Sequence, residues 1–337
     1  MSNTIKKLIS KNISFCDVGA RWGLSEPWNE IKNCLDVVYF EPDAEEFNKL
    51  KLGMNEGDLG FDCALYSSSK KVVLNLTSAR ECSSLLEPNN EVIRNYPNEL
   101  AEMYQIEKKV SVLARSLDDI ASEGGDLKMD FLKLDVQGAE LEILKGGASF
   151  LNKNLLGIEI EVEFQELYKN QPLFSDIDSY VRKNLNLVLF DISKHYSKYK
   201  IGANKFSKKG QLIFGDVLYM RSPSNLINWC SEMEKTKASN KIVSACIIGY
   251  LYGYLDYSLT ILNEKGISKF LDDIQIKELK RFLMSKSKNF TLEFKGSSRI
   301  YNFFNFLGTI FKRTHNGWAS FEGRGNLGSR KKFGVYQ

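Results

Sequence analysis

The feature that most constrains this chain is a glycine-bearing turn between a short apolar strand and a second strand that ends in an acidic residue. The predicted strand Ile13–Val18 leads through the turn Asp17-Val-Gly-Ala-Arg-Trp-Gly23, and the second strand, residues 36–41, ends at Glu41. Glycines let the backbone approach a ligand closely, and a terminal acidic residue can accept hydrogen bonds from both ribose hydroxyls. Glu41 lies 22 positions after Gly19, close to the interval of about 20 residues in nucleotide-binding βαβ units. The pattern predicts a nucleoside cofactor site.

The same turn narrows the choice of nucleoside. A dinucleotide fingerprint has three glycines, because a pyrophosphate must sit against bare backbone at a helix N-terminus. This turn has only Gly19 and Gly23, with the bulky Trp22 between them. The pattern favours a ligand without a pyrophosphate, such as S-adenosylmethionine. Two alternatives stay open: a glycine turn that serves only strand–helix packing, and an NAD-dependent sugar oxidoreductase or epimerase, although no Tyr-x-x-x-Lys pair lies at a suitable position.

Composition describes a soluble globular protein. The 337 residues are 43% hydrophobic and 26% charged, enough for one large domain or a domain of about 220 residues with an appendage. The six cysteines form no Cys-x-x-Cys pair, which indicates reduced core thiols and a cytoplasmic location rather than a disulfide framework or a zinc site. We expect neither a signal peptide nor a transmembrane helix, because the longest uncharged stretch, residues 242–255, is shorter than the roughly 20 residues that span a bilayer.

Charge is distributed unevenly along the chain. From Lys286 to the end there are ten Lys and Arg residues and two Glu residues, whereas the preceding part carries 36 basic and 40 acidic residues. The basic part also contains an aromatic run, residues 300–311. Three interpretations fit this run. It could form an amphipathic helix that packs on neighbouring helices or on a second copy in a homo-oligomer, or it could dock peripherally at the inner, anionic face of a membrane. Binding of single-stranded nucleic acid is the least favoured interpretation.

Alternating strand-like and helix-like segments predict the fold class. Seven strands between residues 13 and 220, most of them separated by helices, indicate an α/β, Rossmann-like sheet that is mostly parallel with helices on both faces, its last strand inserted antiparallel. Residues 78–108 are polar and irregular and are predicted to form a mobile flap. Beyond residue 221 the pattern becomes mainly helical, so we predict two parts, a cofactor-binding domain over 1–221 and a helical extension with a basic aromatic tail over 222–337. The last 21 residues are predicted to be disordered.

A second group of acidic residues falls at the same predicted sheet edge. Asp135 ends a strand there, as Asp17 and Glu41 do, and ligands of open α/β sheets bind beyond the carboxyl ends of the strands. Candidates for taking a proton from an acceptor are Asp135, Glu161 or Glu163, and His195, which follows a later strand on the same edge. A divalent metal held by Asp135 and Glu161 is a further hypothesis without a tight ligand motif behind it. In the predicted flap, Arg80, Ser83 and Ser84 are candidates for contact with substrate.

Several of these segments together resemble one family. The matching pieces include Asp17-Val-Gly-Ala-Arg-Trp-Gly23, Phe40-Glu-Pro42, Phe131-Leu-Lys-Leu-Asp-Val-Gln-Gly-Ala-Glu140, Ile160-Glu-Val-Glu-Phe164 and Gly215-Asp-Val-Leu-Tyr219. They are similar to the motifs of the FkbM-type S-adenosylmethionine-dependent methyltransferases. The resemblance covers about residues 12 to 221 and leaves the C-terminal part outside.

The resemblance implies a class I methyltransferase fold with a seven-stranded sheet. It also implies S-adenosylmethionine as the cofactor and O-methylation, often of sugar hydroxyls in glycans or glycoconjugates, as in polysaccharide biosynthesis. By the resemblance and the position of the sheet edge, the cofactor would be held at Asp17, Gly19, Ala20, Arg21, Gly23, Glu41, Asp62, Ala64 and Leu65. Many relatives carry Glu where this chain has Gln137, so a charged role at that position is in doubt. A scaffold that retains the fold without catalysis is the non-enzymatic alternative, and the retained acidic residues and Gly19 argue against it.

Overall fold

The structure, a computed structural model, describes residues 2–21, 23–124, 127–201, 210–285, 296–310 and 320–321. It is an α/β protein built on two sheets. The twelve strands are β1 Ile13–Val18, β2 Leu35–Phe40, β3 Leu59–Phe61, β4 Ala64–Leu65, β5 Lys70–Thr77, β6 Ile106–Arg115, β7 Phe131–Leu134, β8 Gly157–Glu163, β9 Val188–Ile192, β10 His195–Ser197, β11 Gln211–Met220 and β12 Ser320–Phe321. The prediction of disorder for the last 21 residues lies outside the described residues, apart from β12.

The larger sheet has the order β12-β10-β11-β8-β7-β1-β2-β3, with β9 also paired to β11. The five strands from β8 to β3 are mutually parallel, and β11 pairs antiparallel with β8. The prediction of a mostly parallel sheet with an antiparallel last strand is therefore confirmed. The structure adds two short strands, β10 and β12, to the seven that the sequence predicts.

The predicted third strand, residues 61–65, divides between the two sheets. Its beginning belongs to β3, which pairs with β2, and its end forms β4, which pairs with β6 in a small sheet of order β4-β6-β5. Strands β5 and β6 pair antiparallel along nearly their whole length. The small sheet thus stands beside the carboxyl end of β3, and the segment after β5 extends from this edge.

The segment 78–108 is not the irregular flap that the sequence suggests. It contains two short helices, Asn90–Ile93 and Asn98–Met103, and a set of buried side chains, among them Cys82, Tyr96, Leu100 and Tyr104, that pack against Tyr168 and Ile213. These apolar residues are widely spaced among polar ones, so no run of the sequence marks them as core. The segment is consequently a small subdomain packed on the sheet.

Thirteen helices are described. They are α1 Ser2–Leu8, α2 Ala44–Lys51, α3 Asn90–Ile93, α4 Asn98–Met103, α5 Leu117–Ser122, α6 Glu140–Gly146, α7 Ala148–Asn154, α8 Phe174–Asn184, α9 Pro223–Cys230, α10 Lys235–Leu251, α11 Leu255–Ile261, α12 Asp273–Ser285 and α13 Ser297–Ile310, with 3-10 turns at Trp28–Cys34, Arg80–Cys82 and Ile267–Lys269. Ser222 caps α9, so the predicted division near residue 222 coincides with the start of a helix. Among the described helices none is both long and apolar enough to cross a bilayer.

The C-terminal helices cover one face of the larger sheet, which we call the bundle face. Phe15 and Phe131 on this face belong to the same buried cluster as Ile242 and Ile248 of α10. The opposite face carries Cys16, Leu132 and their neighbours and packs against α5 to α8. Burial of α10 on nearly all sides follows from its sequence, whose second half is uncharged. The helical part therefore shares its core with the sheet.

A buried ion pair ties α10 to the amino end of β7. Lys241 Nζ lies 2.6 Å from Asp130 Oδ1 and 3.1 Å from the carbonyl oxygen of Met129, and it also donates to the carbonyl of Asn154. The second carboxylate oxygen, Asp130 Oδ2, accepts a hydrogen bond of 2.9 Å from the Ser14 backbone N–H. Burying a charge is costly unless it is paired and hydrogen-bonded, and both conditions are met here.

Candidate functional site

The glycine turn after β1 is built on contact between two backbone segments. Gly19 has φ +83°, and a Cβ atom there would lie 1.9 Å from the backbone oxygen of Asp135. The Gly19 and Ala20 N–H groups donate to the Phe40 carbonyl at 3.1 and 3.4 Å, and Asp135 N donates to the Val18 carbonyl at 3.2 Å. Only glycine fits this position, because both the conformation and the space exclude a side chain. The turn therefore locks the ends of β1, β2 and β7 together.

Glu41 and Arg21 stand at the next strand end. Glu41 is 4% exposed, and its Oε1 accepts a hydrogen bond of 2.9 Å from the Asp43 N–H. Burial raises the pKa of Glu41 to about 7. Arg21 Nη2 lies 3.3 Å from Asp43 Oδ2, whereas Arg21 Nη1 is buried without a hydrogen-bond partner among the described residues. A buried guanidinium nitrogen in this state is suited to an anionic ligand group.

A cleft opens over these residues and encloses about 760 Å³ of space that is free of protein atoms and continuous with solvent. The predicted site residues that line it are Gly19, Arg21, Glu41, Ala64, Leu65 and Asp135, together with Arg80, Ser83 and Ser84 from the segment after β5. The structure thus brings most of the predicted cofactor positions to one cleft. Phe40, Cys63 and Leu74 add apolar walls.

Four predicted cofactor positions lie outside this lining. Asp17 is 1% exposed and sits beneath the cleft, and Ala20 is buried. Gly23 lines a neighbouring depression with Arg21 and residues 78–81, and Asp62 is exposed next to the lining residue Cys63. Burial raises the pKa of Asp17 to about 6, with Lys133 opposing the shift and the charge of Asp135 adding to it.

The turn after β7 is shaped by a buried carboxylate. Glu140 Oε1 accepts a hydrogen bond of 3.0 Å from Val136 N, and Oε2 accepts one of 2.9 Å from Gly138 N. Between them Gln137 has φ +61°, in the left-handed region, and Gly138 has φ +106°. Glu140 therefore holds the backbone of the turn in a conformation that Gln137 would rarely adopt alone.

Gln137 connects two of the predicted catalytic carboxylates. Its Nε2 donates to Asp135 Oδ1 at 3.1 Å and also to Glu161 Oε1. Burial raises the pKa of Glu161 well above its ordinary value, and the nearby charge of Asp135 raises it further. Asp135 and Gln137 line the cleft, and Glu161 joins it through the glutamine amide. The carboxylates that the sequence suggests as proton acceptors therefore meet at one end of the cleft.

A row of charged side chains continues from this point along the bundle face. Lys133 Nζ lies 3.9 Å from Asp17 Oδ1 and 3.7 Å from Asp135 Oδ2. Lys133 is the register neighbour of Glu159. Glu159 accepts a 2.6 Å hydrogen bond from the hydroxyl of Tyr252, at the end of α10. Sequence reasoning missed Lys133, although a lysine inside the apolar strand Phe131–Leu134 was the available signal.

His195 lies beyond Glu161 on the far side of β11. Its Nε2 is 3.6 Å from Asp216 Oδ2, and its ring stacks on Phe214 at 4.3 Å between centroids. Asp216 is the register partner of Glu161. The structure therefore places His195 outside the cleft lining, where Asp216 lies between it and Glu161.

The acidic groups do not assemble into a metal site in the described part of the chain. Within residues 2–21, 23–124, 127–201, 210–285, 296–310 and 320–321, no three His, Cys, Asp or Glu side chains are placed to hold one ion. Between Asp135 and Glu161, the two ligands of the metal hypothesis, lies the uncharged amide of Gln137.

Comparison with known proteins identifies the family. The sequence model described as the methyltransferase FkbM domain matches residues 17–188, which include the glycine turn, Glu41, Asp135 and Glu161. The 2-O-methyltransferase NoeI of Sinorhizobium fredii (strain NBRC 101917 / NGR234) is 39% identical over 89 residues, which are 26% of this chain and 36% of that protein. The match thus spans about a third of that relative.

Solved structures give more distant likenesses. Methyltransferase FkbM from Methylobacillus flagellatus KT is 17% identical with a TM-score of 0.36, over 62% of this chain and 43% of that one. Magnesium protoporphyrin IX methyltransferase (ChlM) from Synechocystis PCC 6803 is 10% identical with a TM-score of 0.32, over 65% of this chain and 77% of that one. The family match over half of the sequence, and the cleft that its residues form, lead to one conclusion: the chain belongs to the FkbM methyltransferase family.

Proposed function

We propose that this protein transfers a methyl group from S-adenosylmethionine to a hydroxyl group of a sugar or glycoconjugate. The observation that carries the proposal is the pair of carboxylates, Asp135 and Glu161, joined by one amide at the end of a cleft with nucleoside-binding features. The relative named as a 2-O-methyltransferase supports a hydroxyl as the acceptor. A carboxylate-rich acceptor region also suits a molecule with many hydroxyl donors.

The cleft residues fit the parts of this cofactor. Glu41 would accept hydrogen bonds from the ribose hydroxyls, and the unpartnered Arg21 Nη1 would bind the carboxylate of the amino acid end. Ala64, Leu65 and Phe40 offer an apolar wall for adenine. The bound cofactor would supply an electrophilic methyl group on a sulfonium. The chain's own contribution is to orient that group toward Asp135 and to exclude water from it.

The carboxylates would handle the acceptor's proton. Transfer of the methyl group to the acceptor oxygen, with the sulfur as leaving group, would require the hydroxyl proton to leave. Glu161 is suited to take it, because burial raises its pKa well above the ordinary value of a carboxyl group, and a stronger base is a better proton acceptor. Asp135, which lines the cleft, would accept a hydrogen bond from a neighbouring hydroxyl of the acceptor and so orient it.

The oxidoreductase alternative fits the turn less well. A dinucleotide needs a helix N-terminus directly behind the glycine turn for its pyrophosphate. Here the first helical residues after Gly23 form a 3-10 turn that starts only at Trp28. A single-nucleoside cofactor does not need that helix end.

Turnover is the test of this proposal. Purified protein would be incubated with S-adenosylmethionine labelled in its methyl group and with a panel of sugar nucleotides, glycolipids and matched deoxy sugars. We expect label in an O-methyl ether that NMR locates on a sugar ring, and no label when the corresponding hydroxyl is absent. Transfer to nitrogen or carbon would contradict the proposal, and so would cofactor binding with no transfer to any hydroxyl compound.

Cofactor affinity should depend on pH through Glu41. Protonating this group removes its charge as an acceptor for the ribose, so affinity for S-adenosylhomocysteine should rise as pH increases through about 7. Glu41→Gln should lower affinity about tenfold or more at high pH, since hydrogen bonds to charged groups contribute about 1.5–3 kcal/mol. The variant should also lose most of the pH dependence. Calorimetric titrations at about pH 6 and about pH 8 measure both effects, and an unchanged affinity would refute the ribose assignment.

We also propose that α13 contacts an anionic membrane surface, where the protein would meet lipid-linked acceptors. Five of its large apolar side chains are 49% to 65% exposed: Ile300, Tyr301, Phe303, Phe304 and Phe306. The chain from Lys286 onward carries ten basic and two acidic residues. Exposed aromatic residues beside an excess of positive charge are typical of helices that lie in the interface of an anionic bilayer.

Vesicle binding tests this contact. The protein should sediment with vesicles of phosphatidylglycerol and phosphatidylcholine and much less with phosphatidylcholine alone. Phe303→Asp with Phe304→Asp should abolish sedimentation and leave cofactor affinity unchanged, because α13 is not part of the cleft lining. If this variant sedimented with the vesicles as much as the unaltered protein, the proposal would be contradicted. A concentration-dependent dimer that is lost in the variant would instead assign the surface to a homo-oligomer.

A further inference from the structure

The amide of Gln137 has an orientation that its neighbours determine. Its Nε2 faces two carboxylate oxygens, of Asp135 and Glu161, and its Oε1 lies 3.0 Å from the hydroxyl of Tyr168. Turning the amide over would set its oxygen against both carboxylates, which have no hydrogen to donate when ionised. The same hydroxyl lies 2.7 Å from the Cys82 carbonyl, so its single hydrogen is shared between these two oxygens. The amide is therefore held from both ends.

The backbone of Gln137 is held as firmly as its side chain. The Glu140 carboxylate accepts hydrogen bonds from the backbone N–H groups of Val136 and Gly138, which flank Gln137. The Gln137 carbonyl accepts a 2.6 Å hydrogen bond from the Ser84 hydroxyl, which belongs to the segment after β5. A non-glycine residue in the left-handed region persists only when its surroundings stabilise it, and such strain clusters at functional sites. Gln137 is thus held by four side chains from separate parts of the chain, which are Ser84, Glu140, Glu161 and Tyr168.

We propose that Gln137 is a positioning residue that holds the Glu161 carboxylate beside Asp135, with one amide hydrogen donated to each, so that Glu161 is the carboxylate available to receive the acceptor's proton. This inference rests on the proposed function and deepens it. An uncharged amide does this where a carboxyl group could not, because a carboxylate at position 137 would repel both neighbours and offer no hydrogen.

The ionisable groups around Glu161 indicate in which direction its pKa should move when the Gln137 amide is removed. Those that interact with Glu161 are Asp135 after β7, Glu163 on β8, Asp216 on β11, Glu140 on α6, Cys82, Tyr104 and Tyr168. None of these is a cation, and the nearby Lys133 contacts Asp17 and Asp135 instead. The hydrogen bond from the Gln137 amide favours the ionised form of Glu161, which the neighbouring carboxylates oppose. Removing it should raise the pKa of this carboxyl group.

The first experiment needs neither cofactor nor acceptor. The protein would be labelled with carbon-13 at the glutamate side-chain carboxyl, the Glu161 signal assigned with Glu161→Gln, and the signal titrated by NMR. Gln137→Asn keeps an amide and a residue type that tolerates the left-handed region but is one methylene too short to reach both carboxylates. We expect the midpoint of the Glu161 titration to rise by about one pH unit or more in this variant and in Gln137→Met. Gln105→Met, the same change at an exposed glutamine, should leave it in place.

The second experiment uses turnover. With an acceptor from the turnover panel, the acid limb of the kcat profile should move up by the same amount in Gln137→Asn, so that turnover at pH values on that limb falls about tenfold. A role in folding alone would lower activity at every pH without moving the limb. A folded Gln137→Asn with an unmoved Glu161 titration overturns the positioning role even if methyl transfer is established. Conversely, a shifted Glu161 titration without methyl transfer would contradict the proposed function and would still support the hydrogen bond from Gln137 to Glu161.

Discussion

Replacing Gly19 by alanine is expected to destabilise the protein by about 3 kcal/mol or more and to abolish cofactor binding. A side chain at φ +83° costs about 1–2 kcal/mol, and its Cβ would lie 1.9 Å from the Asp135 backbone oxygen. Relieving that clash must push apart the ends of β1 and β7, at a cost of about 1–3 kcal/mol as in other overpacked sites. The same movement displaces the turn from the cleft. Chemical denaturation and titration with S-adenosylhomocysteine measure the two effects.

Gly57→Ala is the matched control for this change. Gly57 also has a positive φ, of +100°, but no atom lies within 4 Å of the position that a Cβ would take. Gly57→Ala should lose only the conformational contribution, about 1–2 kcal/mol, and should keep its cofactor affinity. If Gly19→Ala behaved like Gly57→Ala in both measurements, the close approach of β1 and β7 would not be what shapes the site.

Lys241→Met is expected to lower the free energy of unfolding by about 3–5 kcal/mol, because it leaves the Asp130 carboxylate buried without its cation. The lysine also bonds two backbone carbonyls, of Met129 and Asn154. Since Asp130 lies at the amino end of β7, far along the strand from the cleft, cofactor affinity of the folded variant should be unchanged. Thermal or chemical unfolding measures the loss.

Two further variants make this test specific. Adding Asp130→Asn to Lys241→Met should recover much of the loss, because the unpaired charge is removed while an oxygen remains for the Ser14 N–H. Lys237→Met, on an exposed part of the same helix, should be nearly neutral. A loss below about 1 kcal/mol for Lys241→Met would show that α10 is not anchored to the sheet through this pair.

The sequence predicts the parallel sheet and the cofactor edge well because both depend on local patterns. Short strands of three to seven residues alternate with helices, and the residues at the strand ends, Gly19, Glu41 and Asp135, reach one edge by topology alone. The antiparallel last strand could be predicted from its connection, which lacks a convincing helix. In each case the deciding signal lies within a few residues of the element that it specifies.

The parts that the sequence did not predict depend on contacts between distant segments. The core of residues 78–108 forms only when Tyr96 and Tyr104 meet Tyr168 and Ile213, and no periodicity marks such a cluster. The position of His195 depends on its pairing with β11, which turns the ring toward Asp216. The role of Gln137 depends on a positive φ and on Glu161, which lies 24 positions away. Tertiary contacts of this kind have no local signature.

Whether the cleft beside Gly19 and Glu41 binds S-adenosylmethionine can be measured directly by calorimetric titration. The full chain and Glu41→Gln would each be titrated with S-adenosylmethionine, S-adenosylhomocysteine and NAD. We expect the first two ligands to bind with one site per chain, the variant to bind both about tenfold or more weakly, and NAD not to bind. Binding of NAD alone, or a folded protein that binds none of the three, would show that this cleft is not a site for S-adenosylmethionine.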